Sequence, residues 1–328
     1  METRLAFRTA ALEVVETIIR TIDIESRTLS NRELLAICRN AGFGVVGDND
    51  PHLPHELAET AINLLILRKY GRILLSTSDP QTMCRKTLRP LCNRVPVQSW
   101  RSNTQIVRQQ FSTPATIAYL MAFLMNWQQD ERILEPSAGT GSLAVWAQSV
   151  GLRTHVNEVD PRRRQLLDLL GFEPTPHNAE FVNDLLSPDV TADCVIMNPP
   201  FSANDGRTRS NASKFGFRHV ESALERLKKG GKFGVILGNA AGLDTKTGND
   251  FWKRLSDQIS VKAIIKIAGR EFYKNGTTVD INLICGRKIA MSGSHDWNKT
   301  RNDIVKISAH SVEDAFSAVQ KLGLRLDQ

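Results

Sequence analysis

Residues 132–141 read Arg132-Ile133-Leu134-Glu135-Pro136-Ser137-Ala138-Gly139-Thr140-Gly141, a short apolar run that stops at a carboxylate and passes into a glycine-bearing loop. Glycines at such a point let backbone approach a ligand closely while the next helix begins beneath it. A glycine pair alone is more often a mere tight turn, so the surrounding texture decides. After Phe111, short apolar runs at Arg132 to Glu135, Thr154 to Val159, Cys194 to Met197, Lys232 to Leu237, Ala263 to Ile267 and Val279 to Cys285 end in Gly, Pro, Asp or Asn and alternate with helical stretches. That alternation predicts an α/β domain with a mainly parallel, Rossmann-like sheet. Asn275-Gly276 ahead of the last run predicts an antiparallel hairpin at the sheet edge.

In open α/β sheets ligands sit outside the carboxyl ends of the strands, which singles out the residues there. Glu158 follows Glu135 at a spacing suited to accepting hydrogen bonds from the ribose hydroxyls of a nucleoside cofactor; otherwise it is a surface carboxylate before the Asp160-Pro161 turn. Asp184, in Asn183-Asp184-Leu185, is expected at a third strand end, where it would accept from an adenine amino group or act as a turn residue. The run Cys194 to Met197 leads into Asn198-Pro199-Pro200-Phe201. Two prolines after a buried strand cannot continue the ladder, and they leave nearby carbonyls free as acceptors. The Asn198 side-chain oxygen and the Pro199 carbonyl could together accept from a planar amine, favouring its pyramidal, nucleophilic form, with Phe201 stacked on its ring.

The rest of the chain bounds this reading. Its 328 residues suffice for one such domain and a smaller appendage. Helical spacing from Leu5 to Ile22, a capping box from Ser30 to Glu33, and a helix from Pro54 to Tyr70 stopped by Gly71 predict an N-terminal helical domain over 1–104. The catalytic domain is expected over 105–290, with a C-terminal extension over 291–328 that contains a strand at Ile304 to Ser308 and a helix capped by Ser311. The five cysteines are scattered without a C-x-x-C pair, so neither disulfides nor a metal site are expected. No apolar run could cross a membrane and the N-terminus lacks an export signal, so a cytoplasmic location is expected. The net charge is +7. Between Gln81 and Gln129 no acidic residue occurs, whereas Arg85, Lys86, Arg89, Arg94, Arg101 and Arg108 do, which is either a phosphate-facing surface or a solvated basic face.

Phe111-Ser112-Thr113-Pro114, the Glu135 to Gly141 loop, Asn157-Glu158-Val159-Asp160, Asn183-Asp184 and Asn198 to Phe201 resemble, in kind and order, motifs X, I, II, III and IV of the gamma-class N6-adenine DNA methyltransferases. Lys229-Gly230-Gly231-Lys232 is similar to the glycine turn before the fifth strand of class I methyltransferases. Glu271 to Thr278 resembles the motif VIII region of restriction-system methylases. More narrowly, the chain resembles phage and plasmid methylase modules, sometimes found beside strawberry-notch-type helicases.

The resemblance implies S-adenosylmethionine as cofactor, held by Phe111, Thr113, Pro114, Glu135, Pro136, Ser137, Ala138, Gly139, Gly141, Glu158, Val159, Asp184 and Asn198. It implies adenine in double-stranded DNA as substrate, with Phe272 or Tyr273 as the second wall around an extruded base. Arg207, Arg209 and Lys214, in the polar segment from Ser202 to Phe217, join Arg85, Lys86 and Arg89 as candidate nucleic-acid contacts; a plain surface loop is the alternative. About 40 residues follow Lys288, where family members carry a recognition region. Sequence recognition is therefore expected from the N-terminal helices or from a recognition or restriction partner subunit. Rival readings are an RNA base N-methyltransferase, a protein glutamine methyltransferase, and a catalytically silent DNA-binding or anti-restriction subunit.

Overall fold

The computed structural model describes residues 2–43, 52–98, 111–200, 215–275, 278–289 and 297–326. Its centre is a seven-stranded sheet of β1 (Arg132–Glu135), β2 (Arg153–Val156), β3 (Ala192–Met197), β4 (Leu227–Gly238), β5 (Ile259–Ile267), β6 (Ile281–Lys288) and β7 (Val305–Ala309), in the order β2-β1-β3-β4-β6-β5-β7. Neighbours pair in parallel except for β6, which is antiparallel to both β4 and β5. The antiparallel hairpin is thus real, but β6 lies inside the sheet and not at its edge. Ile281 to Cys285 are all buried, as a strand covered on both faces requires. The edge belongs to β7, whose Lys306 and Ser308 face solvent.

Helices cover both faces. On one side lie α1 (Glu2–Ile19), α2 (Asn31–Asn40), α3 (Leu53–Leu65), α4 (Ala115–Met125), α5 (Ala144–Ser149) and α6 (Pro161–Leu169). Apolar side chains of α1, α3, α4, α5 and α6 share one core cluster, and Tyr119 of α4 stacks on Trp146 of α5 at 5.0 Å while its hydroxyl donates to Leu74 O. The other face is packed by α7 (Phe215–Glu225) and α8 (Lys246–Leu255), where the Phe217 and Phe251 rings stack at 4.0 Å. After β7, α9 (Val312–Lys321), capped by Ser311, returns to the first face, and Leu326 N donates to Leu124 O.

Several local expectations are met and others corrected. The Ser30–Glu33 capping box forms at α2. Gly71 does not stop its helix: at φ −58° it continues helically, and a Cβ there would lie 2.3 Å from Ser149 Oγ. Its lack of a side chain serves close packing on α5 instead. Lys229-Gly230-Gly231-Lys232 is an irregularity within β4, since pairing with β3 passes from Leu227 directly to Lys232. The buried Lys232 ammonium lies 2.8 Å from Glu131.

Candidate active site

Because β1, β2 and β3 are parallel, their carboxyl ends open on one side and deliver the three loops singled out in the sequence together. Glu135 closes β1 with 2% exposure, and its Oε2 has no hydrogen-bond partner among the described residues. Burial pushes this carboxyl well above the usual range, helped by the nearby Glu158. An orphaned acidic oxygen in such a place fits a cationic ligand group. In the loop beyond, Gly139 has φ +55° and Gly141 φ +88°, and Ala138 N donates to Asn157 O at 3.0 Å.

Glu158 follows β2 and is 6% exposed. Its oxygens accept from Gly139 N and Asp160 N, each at 2.8 Å, so the carboxylate is fixed to the glycine loop and to its own turn. Burial pushes its carboxyl above the usual range, and the Arg163 guanidinium opposes that shift. Asp160 caps α6 through Arg162 N and Arg163 N, with Pro161 opening the helix. Arg163, 6% exposed, then reaches back to Glu56 of α3 at 2.8 Å. Glu56 is pushed up to about 7 by burial, against the pull of Arg163.

Asn157, fully buried, is a residue whose role the sequence did not disclose. Its Nδ2 donates to Pro136 O and His177 O, while its Oδ1 accepts from His177 N and Thr175 Oγ1. It thereby locks the glycine loop to the segment after Thr175, which forms a lone parallel bridge with Asn157. Between α6 and β3 that bridge at Thr175 is the extent of the extended pairing, and no strand leads to Asn183-Asp184. Asp184 lies further on, exposed in the helical turn Val182–Leu185, so its strand-end placement is corrected. Val159 is 51% exposed beside Glu158.

At the end of β3, Asn198 Nδ2 donates to Thr113 Oγ1 at 2.9 Å. The segment before α4 and the segment after β3 are therefore joined directly, and Asn198 keeps its Oδ1 as an acceptor. Pro199 is buried and Pro200 partly so, whereas Phe201, Arg207, Arg209 and Lys214 lie outside the described residues, as do Arg101 and Arg108.

A cleft of about 270 Å³ adjoins Thr113 and Pro114. Its walls include Glu59 and Asn63 of α3, Pro96, Gln98 and Tyr273. Tyr273 is 60% exposed, but Phe272 is fully buried in the core and unavailable to a base. Arg85 and Lys86 are exposed. Arg89 is not free for phosphate, since it pairs with Glu271 at 2.9 Å and with Glu313. Among the described residues no group of three or more His, Cys, Asp or Glu could hold a metal, and no helix is long and apolar enough to cross a membrane.

No curated protein matches the chain. Among solved structures, a candidate class I S-adenosylmethionine-dependent methyltransferase from Listeria monocytogenes superposes with a TM-score of 0.54 at 17% identity, over 96% of this chain and 97% of that one. The methyltransferase subunit of a type I restriction-modification system from Streptococcus thermophilus matches at 15% identity and a TM-score of 0.49, over 90% of this chain and 78% of that one. The first of these likenesses establishes the class I methyltransferase fold. Residues 172–310, which include Asn198-Pro199-Pro200 and Tyr273, match the model of the N-6 DNA Methylase family. Residues 172–310 thus match the N-6 DNA methylase model within a chain that has the class I methyltransferase fold.

Proposed function

We propose that this chain transfers a methyl group from S-adenosylmethionine to the exocyclic N6 amine of an adenine turned out of double-stranded DNA. The observation that carries the reading is Asn198, fixed by Thr113 at 2.9 Å with no donor to its side-chain oxygen among the described residues, inside the stretch that matches N-6 DNA methylases. The orphaned Glu135 carboxylate, the backbone-held Glu158 and the glycine loop suit the ammonium, the ribose hydroxyls and the close backbone approach of that cofactor. When bound, the cofactor supplies an electrophilic methyl on a sulfonium.

The protein's own contribution is positioning. Asn198 Oδ1 and Pro199 O accept from the amine and localise its lone pair, while Tyr273 stacks on the base. No covalent enzyme intermediate is required, and the proton lost from the amine leaves after transfer. Exposed Arg85 and Lys86 suit phosphate contacts. A recognition or restriction subunit is the fitting partner for a chain in which no base-reading element is identified.

The test is transfer of labelled methyl to DNA, RNA and protein, followed by digestion. Label in N6-methyladenine from DNA is expected; label confined to RNA or protein overturns the reading. Asn198→Ala should lower kcat by roughly 10²–10³-fold, the scale of losing one preorganised polar group. Calorimetry should show S-adenosylmethionine affinity nearly unchanged, and retained turnover would refute the role.

A further inference from the structure

Helix α3 belongs to the N-terminal helices, yet one of its side chains touches three separate pieces of the candidate site. Glu59 Oε1 accepts from Asn275 Nδ2 at 3.0 Å, and Oε2 accepts from Thr140 Oγ1 at 3.2 Å. The Ser112 side chain donates to the same carboxylate. Thr140 lies in the glycine loop, Ser112 immediately precedes Thr113, and Asn275 ends the segment that presents Tyr273. One helical turn on, Asn63 Nδ2 donates to Thr140 O at 2.8 Å and approaches Ser142 Oγ at 3.4 Å. Both residues line the cleft next to Thr113.

A partly buried carboxylate is costly unless its lone pairs are filled, and here each of these donors comes from a different part of the chain. If packing alone were needed, an apolar residue would fill the position at lower cost. What the carboxylate adds is a fixed distance between the loop expected to hold the methyl donor and the wall expected to hold the base. Displacement of reacting groups by about 1 Å can cost about 10²-fold in rate.

We propose that Glu59 is a positioning residue that holds the donor loop, the Ser112-Thr113 segment and the Tyr273 wall in register. This rests on the methyl-transfer reading above and makes the N-terminal helices part of the reaction geometry. It acts through Thr140, Ser112 and Asn275 and touches no reacting atom.

The test measures S-adenosylmethionine affinity by calorimetry without DNA, kcat and KM for DNA methylation, and Tm. Thr140→Val should weaken cofactor binding by roughly threefold to tenfold, the range for one lost hydrogen bond, with KM for DNA unchanged. Asn275→Ala should raise KM for DNA and leave cofactor affinity alone. Glu59→Ala should do both and lower kcat by about 10²-fold, whereas Glu59→Gln, which keeps the shape and one acceptor, should recover most of kcat. A Glu59→Ala protein that loses only thermal stability, with affinity and kcat intact below its Tm, overturns the proposal. If that variant does not fold, the Thr140→Val/Asn275→Ala double variant decides: additive effects with unchanged kcat overturn the proposal, and a kcat loss beyond both single variants supports it. Wild-type protein that neither binds the cofactor nor transfers methyl overturns the underlying reading as well; wild-type activity with unaffected Glu59→Ala overturns this proposal alone.

Discussion

Gly139 and Gly141 stand two residues apart in one loop, yet they answer different demands. A Cβ on Gly141 would lie 2.9 Å from Leu170 Cδ1 and 3.0 Å from Leu167 Cδ2, at φ +88°. A Cβ on Gly139, at φ +55°, would meet nothing closer than Arg163 Nη1 at 3.7 Å. Gly141→Ala therefore combines left-handed strain of about 1–2 kcal/mol with overpacking of about 1–3 kcal/mol, and should show a clear loss in denaturant unfolding. Gly139→Ala should cost only about 1 kcal/mol of stability and express itself in calorimetry as weaker cofactor binding, because the added methyl occupies the space the loop leaves open. Equal stability loss in the two variants would contradict this division. The sequence offered both glycines as candidate cofactor-loop residues, but the part played by Leu167 and Leu170 depends on where α6 packs. The same limit applies to Phe272 and Tyr273, which are adjacent aromatics in sequence and separate only once one ring is committed to the core.

At the level of elements, periodicity located the strands well because each is a compact apolar run, and it located caps such as Ser30 and Ser311 because their side-chain bonds are local. Position within the sheet is a non-local property, so the interior place of β6 was not legible, although its uninterrupted apolar run from Ile281 to Cys285 was a usable sign. Asp184 was misplaced because the segment between α6 and β3 holds only an isolated bridge at Thr175 and a helical turn at Val182–Leu185, with no strand to end there. Helix α7 carries a further element-level consequence. His219, 4% exposed, is lowered to about 4 by burial, with Glu180 opposing the shift. Its imidazole is neutral in the folded protein, while the unfolded chain takes up a proton near pH 6.5. Below that pH the unfolded state binds more protons, so stability falls as the pH drops from about 6.5 toward 4 and levels off beneath it. The full loss is on the order of 3 kcal/mol. His219→Leu should flatten this part of the stability profile measured by urea unfolding; an unchanged slope would show that His219 does not produce it.

Across the whole molecule, the N-terminal helices, the catalytic segment and the C-terminal helix are tied by contacts distant in sequence. Arg89 pairs with Glu271 and Glu313, Lys274 Nζ donates to Cys92 O, and Gln98 N donates to Lys274 O. The segment bearing Tyr273 is thus clamped from the N-terminal side, and a basic stretch that composition alone left divided between a phosphate surface and a solvated face is split by the fold. Arg85 and Lys86 remain exposed, whereas Arg89 is spent on the clamp. The two roles give opposite signatures. Neutralising a phosphate contact changes the slope of log affinity against log salt by about one and leaves folding alone. Removing the cation from a partly buried ion cluster leaves Glu271 and Glu313 uncompensated and costs about 2–4 kcal/mol of stability. Arg89→Met should therefore lower the urea midpoint markedly without altering the salt slope for DNA, while Arg85→Ala and Lys86→Ala should each flatten that slope and keep the midpoint. If Arg89→Met instead flattened the slope at unchanged stability, Arg89 would be a nucleic-acid contact and the clamp would carry no energetic weight.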